Sequence, residues 1–281
     1  MRSLLFTLSL LVFVSCQKAD LYNEVEEPTE ANLTVSIFQL EQTPFPGTRS
    51  DFTGICTHIN FAIYDSEDTK VKQTNQIDGD DEFGTASFQL PEGRYQLVVV
   101  AHSSNGNPSM TNPAKIQFTN AQGYSDTFLY SAPITIGTDA QSLSISLNRI
   151  VSLCRFVITD NIPSEVKKLR FYYTGGSGAF DASTGLGSVN SKQDVKFDVT
   201  SGQKQFDLYT ILHDEEGTIH LQVTALDAAE NIYSEREFDV PLTRNQITWL
   251  TGTFFNGGSP HDTKVRIDID TSWDGEQRLT Y

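Results

Sequence analysis

The stretch Leu90-Pro91-Glu92-Gly93-Arg94-Tyr95-Gln96-Leu97-Val98-Val99-Val100-Ala101 joins a turn to a strand. Pro91-Glu92-Gly93 is turn chemistry, because proline presets φ and glycine removes the steric limit on the backbone. Beyond it Tyr95, Leu97 and Val99 face one way while Val98 and Val100 face the other, since successive side chains of a strand point to opposite faces. A strand that is apolar on both faces has both faces covered. This one is expected at the centre of a sheet.

The same period-two grammar extends in both directions. Upstream, Leu33, Val35 and Ile37 alternate with Thr34, Ser36 and Phe38; Cys56 to Tyr64 places Ile59, Phe61 and Ile63 on one face and ends in the turn-forming Asp65-Ser66-Glu67-Asp68; Ala86, Phe88 and Leu90 mark a further strand. Thr43-Pro44-Phe45-Pro46-Gly47-Thr48-Arg49-Ser50 is rich in residues excluded from central strands, and reads as an exposed connection. Downstream, residues 102–124 are the longest irregular piece, with Asn105-Gly106 and Asn107-Pro108 as turn signals. Phe128 to Tyr130 and Leu143, Ile145 and Leu147 close a first unit.

The second half reads alike. Strands are expected at Val151 to Thr159, Val166 to Tyr173, Val195 to Val199, Phe206 to Ile211, Ile219 to Leu226, Glu235 to Val240, Gln246 to Phe254 and Lys264 to Ile269. A 3.6-residue period is found only at Ser164 to Leu169, so helix is minor. About fifteen short strands exceed the ~10 that an open sheet carries before it splits. The fold class is therefore all-β, with two tandem β-sandwich domains over 32–148 and 149–281. No Pro or Gly linker marks the junction near Asn148 to Val151, so the two are expected to pack closely.

Ahead of these units stands a different composition. After Arg2, Leu4 to Val14 is an apolar run that ends at Ser15-Cys16. It is shorter than the ~20 residues a spanning helix needs and reads as a secretory h-region. A small residue before a cysteine, followed by Gln17, Lys18, Ala19 and Asp20, resembles a bacterial lipoprotein signal over 1–16, in which Cys16 becomes the lipidated first residue; Phe13 stands where that signal usually has leucine. Residues 17–31 carry Asp20, Glu24, Glu26, Glu27 and Glu30 against a single Lys18. Such a segment buries too little to offset its ordering entropy, and reads as a flexible tether. Acidic residues at this place also resemble the signal that sends lipoproteins of the Bacteroides group to the outer face of the cell.

The formal net charge of −16, from 36 Asp and Glu against 20 Lys and Arg, argues against nucleic acid as a partner, which requires clustered cations. Of three cysteines, lipidation of Cys16 leaves Cys56 and Cys154, expected as buried unpaired thiols in different domains. His58, His102, His213, His220 and His261 form no metal-ligand spacing, and no metal or other cofactor is expected. Ile77-Asp78-Gly79-Asp80-Asp81-Glu82 lacks the pattern of a dedicated calcium loop and reads as a solvated hairpin tip. Gly175-Gly176-Ser177-Gly178 is not followed by the helix that a phosphate loop needs. Trp249, alternating with Ile247, is expected in the core; Trp273 follows the last expected strand. No nucleophile elbow occurs, so no catalytic residue is assigned and the chain is read as non-enzymatic.

Four stretches together resemble the FimB/Mfa2 family of fimbrial proteins of the Bacteroides and Porphyromonas group. They are the lipoprotein start with its acidic tether; Leu90 to Ala101; Leu147-Asn148-Arg149-Ile150-Val151 with Cys154-Arg155-Phe156; and the closing strand running to Trp273-Asp274-Gly275. The resemblance implies two transthyretin-like sandwiches of Greek-key type and a lipid-anchored anchor or accessory subunit of a fimbrium (pilus) at the cell outer membrane. It implies assembly with other fimbrial subunits by exchange of β-strands, and adhesion to host or bacterial surface ligands. In shaft subunits of that family a protease cuts after an arginine in the place of Arg49, so that the chain begins at the next residue, here Ser50. That cut releases the first strand, here Leu33, Val35 and Ile37, and a neighbour's C-terminal strand, here Val265, Ile267 and Ile269, fills the groove. The rival reading is a surface glycan-binding lipoprotein of a polysaccharide-uptake system, which would need exposed aromatic platforms.

Overall fold

The computed structural model describes residues 30–40, 55–119, 123–256, 264–268 and 275–281. Their secondary structure is strand, with no helix among the described residues. The first half contains β1 (Leu33–Leu40), β2 (His58–Tyr64), β3 (Lys70–Ile77), β4 (Thr85–Phe88), β5 (Gly93–His102), β6 (Ile116–Gln117), β7 (Thr127–Ile136) and β8 (Gln141–Arg149). The second contains β9 (Ser152–Ile158), β10 (Lys168–Ser177), β11 (Ala179–Phe180), β12 (Asn190–Asp198), β13 (Gln205–Thr210), β14 (Glu216–Leu226), β15 (Ile232–Thr243), β16 (Gln246–Gly252), β17 (Lys264–Asp268) and β18 (Gly275–Thr280).

In the first half the order is β3-β2-β5-β7-β8-β1-β4. The sheet turns a corner between β7 and β8, whose ladder pairs Phe128 with Arg149 and Leu129 with Asn148. In the second half β12-β10-β14-β15 and β13-β9-β16-β18-β17 are separate sheets. One wiring diagram is used twice. β3-β2-β5-β7 corresponds to β12-β10-β14-β15, and β8-β1-β4 to β16-β9-β13; the first strand of each half lies in parallel register, β1 to β8 and β9 to β16.

Each half has its own core. Leu33, Val35, Ile59, Phe61, Leu97, Val99, Phe128 and Leu147 belong to one buried cluster, and Cys154, Phe156, Leu169, Phe171, Phe206, Leu221, Val240 and Leu250 to another. The apolar run of β5 is explained by a third cluster. Val98 and Val100, with Ala62 and Tyr64 of β2, turn their backs on the first core and pack with Ile150, Val151, Phe180 and Ile211 of the second half. The irregular piece after β5 packs inward where it is described, over 103–119 and 123–126: Met110, Ile116, Phe118 and Tyr124 are buried in this same cluster, the Tyr64 hydroxyl donates to the Met110 carbonyl at 2.7 Å, and β6 pairs with β11 across the two halves. Burying these side chains stabilises by roughly 1.5–3 kcal/mol each.

Two local devices shape the second half. Gly175, at φ +95, sits in a bulge of β10, and a Cβ there would lie 2.4 Å from the Thr218 carbonyl oxygen. That is why glycine occupies the position. Asp160 accepts the N–H groups of Phe254, Phe255 and Asn256 at 2.8–2.9 Å, closing the turn after β16. Burial raises its carboxyl, but these N–H donors outweigh that and hold its pKa below the ordinary value.

Candidate functional site

Leu33, Val35 and Ile37 of β1 are buried, each at most 2 % exposed. They lie in a slot with β8 on one side in parallel register, from Leu33 opposite Gln141 to Leu40 opposite Leu147, and β4 on the other, antiparallel. β1 is therefore not at a sheet edge. Through Ile37 to Gln39 it carries a bulge that turns Phe38 outward, 76 % exposed. β4 has no other strand partner among the described residues, so withdrawing β1 would strip two strands at once. Cys16, Arg49 and Ser50, and the whole connection from Thr43 to Ser50, lie outside the described residues, as do the signal and nearly all of the tether.

The expected C-terminal strand forms as β17. Val265 and Ile267 fall in β17, opposite Leu279 and Gln277, while Ile269 lies outside the described residues. β17 is the outer member of a hairpin. The strand that meets the sheet is β18, absent from the sequence reading, which runs parallel to β16 from Gln246 opposite Gly275 to Thr251 opposite Thr280. Gly-Glu-Gln-Arg-Leu-Thr has charge and glycine where an apolar alternation would signal a strand. Its seat is made afterwards by Leu279, 2 % exposed, and by the Tyr281 ring stacked on Phe156 at 5.1 Å.

Trp249 is likewise not a core residue. It is half-buried on the outer face of its sheet, directly opposite Arg155 on β9 and Arg278 on β18, each guanidinium 4.9 Å from the ring centroid. Arg155 is held by a bidentate pair with Asp207 at 2.8 Å. A ring flanked in this way is a packing element, not an open platform for a sugar. Trp273 and His261 lie outside the described residues.

The remaining candidates resolve into structure. His102 is fully buried, its Nε2 2.9 Å from the Asn60 side chain and its ring stacked on His58; burial, then the neighbouring His58, lowers its pKa to about 3. His220 pairs with Asp239 on the exposed face of β14 and β15. In the acidic tip, the Asp80 carboxylate accepts the Ile77 N–H at 2.8 Å. Among the described residues no group of three or more His, Cys, Asp or Glu side chains is arranged to hold a metal. Cys56 and Cys154 are free and buried; burial pushes both thiols up, Cys154 to about 12.

The strands thus define a class: an all-β protein whose candidate site is a set of strand slots and strand edges. The chain belongs to a family described as of unknown function (DUF6562), whose model matches residues 23–280. No curated protein matches it. Among solved structures it is similar to a candidate adhesin from Bacteroides ovatus, at 13 % identity over 81 % of this chain and 88 % of that one, with a TM-score of 0.50. It is also similar to a fimbrial assembly protein from Parabacteroides distasonis, at 11 % identity over 88 % and 97 % of the two chains and a TM-score of 0.42. The fimbrial anchor protein Mfa2 from Porphyromonas gingivalis is similar at 10 % identity over 73 % and 80 %, with a TM-score of 0.41.

Proposed function

We propose that this chain is a non-enzymatic subunit of a cell-surface fimbrium, of the anchor or accessory type. In this reading Cys16 carries the lipid that holds it to the outer membrane, residues 17–31 are the tether, and two transthyretin-like sandwiches over 32–148 and 149–281 stand beyond it. Other fimbrial subunits join it through β-strands, and the assembly supports adhesion. The observation that carries the reading is the seat of β1: a strand remote in sequence from both its neighbours fills a slot between β8 and β4. A fold completed by inserted strands is suited to assembly by strand addition. The Bacteroides ovatus structure that shares the fold is described as a candidate adhesin, which supports the same reading.

The test is made on cells. Fimbriae purified from the native organism should contain this chain, and deleting its gene should alter fimbrial attachment and cell adhesion. A chain that is absent from fimbriae, and whose loss leaves adhesion unchanged, contradicts the reading.

A further inference from the structure

A sheet edge presents unpaired N–H and C=O groups, and proteins blunt such edges with charge, proline or short strands. Five of the described edges follow the rule. β3 carries Lys70 and Lys72; β12 alternates Lys192, Asp194, Lys196 and Asp198; β13 carries Asp207; β15 has Glu235, Glu237, Asp239 and Pro241; β17 has Lys264, Arg266 and Asp268. β4 is short, and the Gln76 side chain bonds Gly84 N–H and the Thr85 carbonyl beside it. β7 carries Pro133. The outer side of β8 is the exception: Ser142 to Leu147 reads Ser-Leu-Ser-Ile-Ser-Leu, with no charge and no proline.

Its geometry shows which groups are open. Gln141 N–H donates toward β1, to the Asn32 carbonyl, and Ile150 N–H donates the other way, to Thr127 on the β7 side. Main-chain groups alternate sides along a strand, so Ser142, Ser144 and Ser146 turn theirs away from β1. β7 could have met them, but it parts from β8 after Leu129 and follows β5 as far as Ile136; the two strands come together again only at their connection, where the Gln141 side-chain Nε2 donates to the Thr135 carbonyl at 2.9 Å. Between the diverging strands is a cleft of about 400 Å³, lined by Tyr130, Ser131, Ser144 and Ser146 and bordered by Thr184 and Arg244 of the second half. In the second half, the side of β16 that corresponds to this edge is filled by β18, in parallel.

We propose that the outer edge of β8 is a docking site for one extended strand of another chain, seated parallel to β8 as β18 is to β16, with β1 left in place. The donor has about six residues in extended conformation, with apolar side chains on the face that continues the row of Leu143, Ile145 and Leu147, as Leu279 and Tyr281 supply beside β16. That the donor is a neighbouring fimbrial subunit rests on the reading above. A second copy would first have to release its β18, which is bonded to β16 and covered outside by β17.

The probe is a synthetic peptide of Gly275 to Tyr281, the segment that fills the corresponding edge, with a scrambled peptide as control. Amide hydrogen exchange is read at Ser142, Ser144 and Ser146 in the mature chain. The expected result is fast exchange alone, slowed by about tenfold or more with the peptide, unchanged with the scrambled one, and, in Ser144→Pro, which removes the outward N–H at 144 and fixes its φ, unchanged by the peptide at Ser142 and Ser146. Should that variant misfold, Ser142→Lys with Ser146→Lys blocks the edge by charge. Protection of these amides in the chain alone, or no response to millimolar peptide, overturns the proposal. In cells, a Ser144→Pro chain that joins fimbriae like the wild type sinks the edge but spares the fimbrial reading; a wild-type chain absent from fimbriae sinks that reading while the peptide result stands on its own.

Discussion

Arg149 shows how much one side chain holds. Its guanidinium makes a bidentate pair with Asp126 at 2.7 and 2.9 Å, reaches Asn245 of the second half at 3.2 Å, and lies 4.8 Å over the Phe128 ring. The pair is nearly buried, so removing one partner leaves an uncompensated charge. Arg149→Met is expected to cost about 3–5 kcal/mol in chemical denaturation, with part of the loss recovered when Asp126→Leu is added. His102 gives the pH dependence. Its pKa is about 3 in the fold and about 6.5 unfolded, so between these values the unfolded chain binds more protons. Its contribution is present in full above pH 6.5 and is lost as pH falls toward 3, at up to about 1.4 kcal/mol per pH unit. Denaturation midpoints at pH 7 and pH 5 should differ for the wild type, and the difference should shrink in His102→Gln.

Among the elements, legibility followed burial on the strand's own faces. β1, β2 and β5 announce themselves because one or both of their faces enter a core, and the doubly apolar Leu97 to Ala101 run is accounted for by two cores, one on each side. β3 was invisible: Lys-Val-Lys-Gln-Thr-Asn-Gln-Ile is an edge strand that is mostly polar, held by its ladder to β2. β18, an inner strand, gives no apolar alternation either. The alternation of β8 was plain, but its open side depends on which strands lie beside it, a non-local fact that no local pattern carries. Nor did the sequence distinguish a Trp249 in the core from one flanked by two arginines, since both alternate with Ile247. The aromatic seat of β18 is testable: Tyr281 packs on Phe156 and Phe238, so Tyr281→Ala should destabilise by about 2–4 kcal/mol and should speed amide exchange along β16 and β18 before the rest of the second half.

At the scale of the molecule, the two halves repeat one wiring diagram and are joined by the Val98, Tyr64, Ile150 and Phe180 cluster, by the β6–β11 pair and by the Arg149 contacts. Halves sharing a buried apolar core should melt together. Phe180→Ala, which hollows that shared cluster, should cost about 3–5 kcal/mol and split a single calorimetric transition into two. As a lipid-anchored subunit of the kind proposed, the chain would be kept at the cell surface with β1 retained in its slot. The measurement that tests this most directly is the intact mass and N-terminal sequence of the mature protein from its native membrane. A chain that begins at an acylated Cys16 and includes Leu33 to Leu40 is the predicted result; a chain that begins at Ser50, with the first strand shed, would contradict it.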